Sequence, residues 1–139
     1  MSPTQPHRDF SHVPLAKKLG LVTAKGDVGE VALLGEPEGF RELLGELEGV
    51  SFQKRLRPST ALALCFVRTR RELLAAIELL TAQLPAVAHV WIIRPKSHLK
   101  PEIGENDVRE AGLLAGLVDY KVCAVNQDWS GLKFARRKA

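Results

Sequence analysis

The chain has 139 residues, of which 45% are hydrophobic and 26% are charged, proportions typical of a folded globular protein and not of a disordered one. No apolar run approaches the roughly 20 residues that a membrane-spanning helix needs, and residues 1–9 lack the apolar segment of a secretory signal. The formal net charge of +4 allows an anionic partner but does not require one. We therefore expect a cytoplasmic protein with no membrane partner.

Residues 1–14 contain three prolines and few apolar residues, which is typical of a flexible arm. We therefore expect one α/β domain over residues 15–139, a length that can bury a core of its own. The domain begins with a helical turn over residues 15–21. A β-branched and leucine-rich run over residues 28–34 then predicts the first long strand.

A helix and two strands are predicted next. Phe40, Leu43, Leu44 and Leu47 recur with the spacing of one helix face, and Gly49 is a suitable end for that helix. The shorter and more polar run over residues 50–56 predicts an edge strand. The continuous apolar run over residues 61–67 is typical of a central parallel strand that is covered on both faces.

The strongest helix signal starts at Thr69, where Thr69 and Glu72 have the spacing of a capping box. Pro85 ends this helix. The apolar stripe along it consists of Leu73, Leu74, Ile77, Leu80 and Leu84.

Another apolar strand is predicted over residues 89–93, followed by a helix that Asn106 can cap and that Gly116 ends. Runs over residues 121–127 and 132–136 predict an antiparallel hairpin. Asp128-Trp129-Ser130-Gly131 between them has the residue chemistry of a type I turn. Alternation of strands and helices favours a mostly parallel sheet with helices on both faces, and the run over residues 28–34 should neighbour the run over residues 61–67.

Several short segments resemble an uncharacterised bacterial family, domain of unknown function 3052. The segments are Lys18-Leu-Gly20, Leu34-Gly-Glu-Pro-Glu-Gly39, Trp91-Ile-Ile-Arg-Pro-Lys96, Ala111-Gly-Leu-Leu-Ala-Gly-Leu-Val-Asp-Tyr-Lys121 and Asp128-Trp-Ser130. The resemblance covers almost the whole chain except the arm, and it implies no catalytic residues.

A weaker, fold-level similarity is to the carboxyl half of Rossmann-like methyltransferases, which also end in a strand, a helix and an antiparallel hairpin. It implies a three-layer Rossmann-like domain with a C-terminal hairpin. The chain departs from those enzymes at two places. Gly35-Glu-Pro-Glu-Gly39 stands where they have a Gly-x-Gly-x-Gly loop, and Gln53-Lys-Arg55 stands where they have an acidic residue for the cofactor ribose.

Cations follow two of the predicted central strands, and ligands of open parallel sheets bind at the carboxyl ends of such strands. Arg68, Arg70 and Arg71 follow one strand, while Arg94 and Lys96 follow the next. Together with the amino end of the capped helix they could hold a phosphate or carboxylate. The alternative is that these are solvated loop charges without a ligand.

Trp129 is predicted either to pack against the domain or to present a contact surface to a partner, with packing favoured. Cys65 and Cys123 lie in apolar strands and are expected to be free thiols. The four histidines, of which His89 and His98 lie within the domain, show no metal-ligand spacing, so no metal site is predicted.

The sequence leaves three functional hypotheses open, and it does not identify a cofactor. The first is a non-enzymatic module that binds an anionic small molecule, such as a nucleotide or a phosphorylated metabolite. The second is a reduced methyltransferase-like enzyme. The third is an interaction or assembly subunit, for example a homo-oligomer, that uses the C-terminal hairpin. Nucleic acid is a minor variant of the first, because the sequence shows no aromatic residues interleaved on a basic face.

Overall fold

The structure, a computed structural model, describes residues 14–23 and 26–137. The flexible arm predicted over residues 1–14 therefore lies outside the described residues except for Pro14, and its boundary with the domain stays a prediction. The described helices are α1 (Leu15–Lys18), α2 (Phe40–Leu44), α3 (Arg70–Gln83) and α4 (Glu105–Leu114). The described strands are β1 (Val22–Thr23), β2 (Gly26–Asp27), β3 (Glu30–Leu34), β4 (Ser51–Gln53), β5 (Leu62–Phe66), β6 (His89–Pro95), β7 (Leu117–Ala124) and β8 (Trp129–Arg136).

Six of these strands form one sheet in the order β4-β3-β5-β6-β8-β7, and β1 and β2 form a small antiparallel ladder apart from it. Strands β4, β3, β5 and β6 are mutually parallel, whereas β8 runs antiparallel to both β6 and β7. The predicted α/β fold with a C-terminal antiparallel hairpin is confirmed, as are the edge position of β4 and the pairing of β3 with β5. The order of the strands reverses between β3 and β5, which makes their carboxyl ends the switch point of the sheet.

Helices cover both faces of the sheet. Helices α1 and α2 pack with Leu64, Phe66 and Trp91 on one face. Helices α3 and α4 pack with Cys65 and Ile92 on the other. Adjacent residues of β5 thus enter different cores, which explains why this strand is apolar at every position. In the described part of the chain, no helix has the length and apolar character to cross a membrane.

Two predicted helices differ from the structure at their ends. Helix α2 stops at Gly45 and not at Gly49, because Gly45 takes a left-handed φ of 76° that breaks the helix a turn earlier. Phe40 and Leu44 of this helix are buried as its apolar spacing predicts, but Leu43 is 55% exposed. Helix α4 begins after Gly104 and not at Asn106, because the Asp107 carboxylate accepts a hydrogen bond of 2.8 Å from the Gly104 N–H.

The apolar stripe of α3 is narrower than predicted. Leu73, Leu80 and Leu84 are buried and Ile77 is partly buried, but Leu74 is 54% exposed. Because successive helical residues are separated by about 100°, Leu74 points away from the face that Leu73 buries.

The hairpin turn precedes Trp129, so its predicted position at Asp128–Gly131 was wrong. The Asn126 side-chain oxygen accepts from the N–H of Asp128 at 2.8 Å and of Trp129 at 2.9 Å, which closes the turn over residues 125–128. Trp129 is consequently the first residue of β8. Gly131 lies within the strand, where a Cβ would come 3.1 Å from the side chains of Trp91 and Ile93.

Candidate functional site

A cavity of about 310 Å³ opens at the switch point, between the carboxyl ends of β3 and β5 and the first turns of α3. Its lining consists of Leu34, Gly35, Cys65, Phe66, Val67, Arg68, Glu72, Ala75, Ala76 and Leu79. A larger cavity of about 440 Å³, bordered by Leu56–Pro58 and Pro85, lies at the opposite end of the strands, where the chain enters β5 and β6. We regard the smaller one as the candidate site, because ligands of open α/β sheets bind at the carboxyl ends of the strands.

Arg68 bridges the elements around this cavity. Its Nη2 donates a hydrogen bond of 3.0 Å to the Gly35 carbonyl at the end of β3, and its Nη1 lies 3.8 Å from the Glu72 carboxylate on α3. Gly35 has a φ of +73°, and a Cβ there would lie 2.9 Å from the carbonyl oxygen of Phe66. The two strand ends therefore approach each other closely because Gly35 carries no side chain.

Trp129 forms the neighbouring wall on the face that carries α1 and α2. Its ring meets Phe66 edge to face, with 5.3 Å between the ring centroids, and the Arg68 guanidinium carbon lies 5.1 Å from its centroid. The indole is half-buried against the core of that face. Trp129 thus packs against the domain. It also contacts Arg68, which lies at the rim of the cavity.

The amino end of α3 already carries protein acceptors. The Thr69 hydroxyl accepts from the Glu72 N–H at 3.1 Å, as the capping pattern predicts. The Glu72 carboxylate accepts from the Arg68 N–H at 2.7 Å, and the Glu102 carboxylate accepts from the Arg70 N–H at 2.7 Å. An anion at this helix end would therefore displace Glu102 or bind beside it, using side chains and not the vacant N–H groups that the sequence suggested.

Two of the predicted cations form ion pairs with the first turn of α4. Arg70 lies 3.1 Å from the Asp107 carboxylate. Arg94 is 8% exposed, donates a hydrogen bond of 3.0 Å to the Pro95 carbonyl and lies 3.7 Å from Glu105. The Glu105 carboxylate also binds Arg109 at 2.7 Å. These contacts hold α4 against the carboxyl ends of β5 and β6, and they leave Arg70 and Arg94 fewer donors for a ligand.

The other two predicted cations have no ion pair among the residues that the structure describes. Arg71 is exposed and lies one helical turn before Ala75, a cavity residue. Lys96 is half-buried, and its backbone N–H donates a hydrogen bond of 2.7 Å to the Asp128 carbonyl. The cations thus share one edge of the sheet but divide into three groups, with Arg68 at the cavity and Arg71 near it on α3, Arg70 and Arg94 at α4, and Lys96 at the hairpin turn.

The sequence prediction did not include Glu72 and Glu102, the carboxylates that interact with these groups. Glu72 carried a visible signal, because it is the second member of the capping pattern, although its carboxylate reaches Arg68 instead of Thr69. Glu102 carried none, since its partner Arg70 is 32 residues away. The edge is therefore mixed in charge and not a ring of cations alone.

Comparison with solved structures places the chain in the methyltransferase fold. A SAM dependent methyltransferase from Aquifex aeolicus superimposes with a TM-score of 0.60 at 16% identity, with 86% of each chain covered. The ribosomal protein L11 methylase of Lactobacillus delbrueckii subsp. bulgaricus gives 0.56 at 16% identity, with 94% of this chain and 81% of that chain covered. N-methyltransferase NodS from Bradyrhizobium japonicum WM9 superimposes with a TM-score of 0.56 at 11% identity, and the match covers 93% of this chain and 97% of that chain.

These similarities establish the fold and no activity, because the sequences share so few residues. No match is found among curated proteins. The model of a family described as protein of unknown function (DUF3052) matches residues 63–138, more than half of the chain. That stretch begins in β5, contains α3, β6, α4 and the hairpin, and includes all five of the predicted cations. The chain therefore belongs to the DUF3052 family.

Proposed function

We propose that this chain is a non-enzymatic small-molecule-binding protein whose ligand carries an anionic group, as a nucleotide or a phosphorylated metabolite does. The observation that carries the proposal is the cavity at the switch point with Arg68 at its rim. A pocket that is mostly apolar with a few directed polar groups is typical of small-molecule sites.

Arg68 retains donors for a ligand. A guanidinium has five N–H donors, and one hydrogen bond of Arg68, to Gly35, is made to the protein. Its side chain is 40% exposed, so the remaining donors can reach a phosphate or carboxylate in a two-point contact. The partial neutralisation by Glu72 weakens but does not remove this attraction, because that contact of 3.8 Å is longer than a hydrogen bond.

Arg71 supplies a second cation at the mouth of the cavity, and Lys96 a third from the neighbouring loop. Arg70 and Arg94 contribute to the same site as positioning groups through their ion pairs with α4. The ligand's apolar or aromatic part would lie against Ala75, Ala76 and Leu79, which line the inner wall.

Thermal unfolding with a panel of nucleotides and phosphosugars tests this proposal. A ligand at ten times its Kd stabilises the folded state by about 1.4 kcal/mol, which raises Tm by about 3–5 °C for a chain of this size. Arg71→Ala should reduce that shift, while Lys54→Ala, an exposed cation at the end of the edge strand β4, should keep it. The proposal fails if no compound shifts Tm at millimolar concentration and Arg71→Ala behaves as the wild type.

The second candidate is a reduced methyltransferase-like enzyme, which the fold of the structural neighbours favours. One neighbour is an O-methyltransferase (NcsB1) determined in complex with S-adenosylmethionine; it has a TM-score of 0.61 at 14% identity, and the match covers 51% of that longer chain. Against this candidate, Gln53 ends β4 and Lys54-Arg55 follow it, where the ribose acid would stand. Calorimetry with S-adenosylmethionine separates the candidates, since the absence of binding heat eliminates the enzyme.

A third candidate, an assembly subunit, rests on the hairpin. Strand β7 is the outer strand of the sheet, and its Val118, Tyr120 and Val122 side chains are exposed by 38%, 51% and 52%. Edge strands of this kind can pair between chains. Trp129 belongs to the inner strand β8 and is half-buried, so it is the weaker part of this candidate. A monomeric elution volume that is unchanged in Trp129→Ala would eliminate Trp129 as an anchor.

A further inference from the structure

The face of β6, β8 and β7 on the side of α1 gathers lysines around aromatic rings, away from the cavity at the carboxyl edge. The Lys133 ammonium on β8 lies 5.6 Å from the centroid of the Trp91 ring and 5.8 Å from that of Tyr120. Lys121 stands directly opposite Lys133 in the β7–β8 ladder, so the two side chains project from the same face. Lys18 is the last residue of α1, and two residues later a Cβ at Gly20 would lie 3.0 Å from the Lys133 ammonium. Three cations from α1, β7 and β8 therefore share one surface.

The three lysines of this surface have no ion pair within the part of the chain that the structure describes. Among the described side chains, no carboxylate lies within ion-pair distance of Lys18, Lys121 or Lys133, whereas Arg57, Arg68, Arg70, Arg94 and Arg109 all have such partners. Burial lowers the pKa of Lys133, and the charge of Lys121 lowers it further. An anion placed on this face would relieve the repulsion between these lysines.

Tyr120 is a fixed aromatic surface within the cluster. Its ring is 51% exposed and meets the His89 ring edge to face, with 5.5 Å between the centroids. The Tyr120 hydroxyl also forms a hydrogen bond with His89 Nδ1, which holds the ring in place. A ring that is both exposed and held can stack on a flat ligand group at little entropic cost.

We propose that this face binds single-stranded nucleic acid, with Lys18, Lys121 and Lys133 contacting phosphates and Tyr120 stacking on a base. Positive grooves with aromatic platforms are the common means of binding single strands. The lysines are distributed over β7, β8 and the end of α1, an arrangement that suits a chain-like polyanion. The proposal concerns a different surface from the anion-binding cavity and does not depend on it.

Fluorescence anisotropy with labelled fifteen-nucleotide oligo-dT and oligo-U tests the proposal on the full chain at a series of salt concentrations. Contacts from three lysines predict a slope of log K against log salt of about −2. Lys121→Ala should make that slope shallower by about 0.7, and Lys121→Arg should keep it. Lys54→Ala, on the opposite edge strand, is the matched control and should bind as the wild type does.

The stacking contact is tested separately from charge. Tyr120→Ala should weaken binding at least about fivefold at constant salt, whereas Tyr120→Phe, which keeps the ring, should stay within about twofold of wild type. The proposal is overturned by an absence of binding at 50 μM protein in low salt, by equal losses from Lys54→Ala and Lys121→Ala, or by equal effects of the two Tyr120 variants. Competition by polyglutamate as effective as that by oligo-dT would also overturn it, since the face would then recognise charge alone.

Discussion

The Arg68 guanidinium lies over the Trp129 ring, with 5.1 Å between the guanidinium carbon and the ring centroid. Arg68 follows β5 and Trp129 begins β8, strands that are separated in the sheet by β6. The pair thus crosses the carboxyl edge of the sheet and connects the rim of the cavity to the C-terminal hairpin. This contact links the two features that the sequence singled out separately, a group of arginines and an isolated tryptophan.

Trp129→Ala should destabilise the protein by about 2 kcal/mol, less than the loss expected for a fully buried aromatic ring. The change removes the edge-to-face contact with Phe66 and the cation–π contact with Arg68. Urea unfolding monitored by circular dichroism measures this change in the free energy of unfolding. Trp129→Phe retains an aromatic ring and should lose less than half as much. An unchanged urea midpoint for Trp129→Ala would contradict the packing role.

Gly112→Ala should destabilise the protein even though alanine favours a helix by about 1 kcal/mol relative to glycine. A Cβ at this position of α4 would lie 2.4 Å from a ring carbon of Phe134, a side chain with no exposed surface. Overpacking of this kind costs about 1–3 kcal/mol, so we expect a net loss of about 1 kcal/mol by chemical denaturation. Adding Phe134→Leu should make the Gly112→Ala step less costly. A more stable Gly112→Ala single variant would show that the ring moves aside freely.

Asp107→Asn should destabilise the protein at neutral pH and have little effect in acid. The Gly104 N–H and the Arg70 guanidinium, in that order, lower the pKa of Asp107 below its usual value of 3.8. The stabilising contribution of the ionised carboxylate is therefore present above pH 4 and is lost as the pH falls through the lowered pKa. Comparing urea midpoints of the two proteins at pH 7 and at a series of lower pH values measures the difference. Glu110→Gln, on the exposed side of the same helix, is the control, and a difference that does not shrink as the pH falls below the usual value of 3.8 would contradict the assignment.

Cys123 should react with a thiol reagent before Cys65. Burial raises the pKa of the Cys65 thiol to about 12, so about one such thiol in ten thousand is ionised at pH 8. Burial also raises the pKa of Cys123, but Lys18 and Lys121 lower it in part, and the residue is only half-buried. Mass spectrometry after brief labelling should find modification at Cys123 alone, and Cys123→Ser should leave a protein that reacts only when unfolded. Equal labelling of both thiols would count against the burial of Cys65.

The burial of Cys65 also predicts that the folded protein loses stability at high pH. The raised pKa of Cys65 means that its contribution to folding is fully present below the ordinary thiol value of 9.0 and falls as the pH rises toward about 12. Cys65→Ala should be less sensitive to pH over this interval, although it starts from a lower stability because it leaves a small void in the core.

Local residue patterns predicted the elements of the fold well and their contacts poorly. The Thr69 cap, the central strand β5 and the sheet edge at β4 are legible because each depends on residues a few positions apart. The turn at Asn126 was misplaced because Asp128–Gly131 also has the residue chemistry of a turn, whereas in the structure Gly131 packs closely on Trp91 within β8. In the sequence, Arg70 and Arg94 look as available to a ligand as Arg71 does. Their ion-pair partners, Asp107 for Arg70 and Glu105 for Arg94, lie on another element of the fold and are not visible in the local pattern.

By itself, the sequence determined the class of fold, the neighbouring positions of β3 and β5, and the edge at which the cations collect, because apolar periodicity and right-handed crossovers leave few arrangements. Only the tertiary structure decided which cations face solvent and which are held by carboxylates, since an ion pair depends on distances across the sheet. It also brought Lys18, Tyr120 and Lys133 to one face, more than 100 residues apart at the extremes. Charge and aromatic groups act through space, and their clustering becomes visible once the strands are in register.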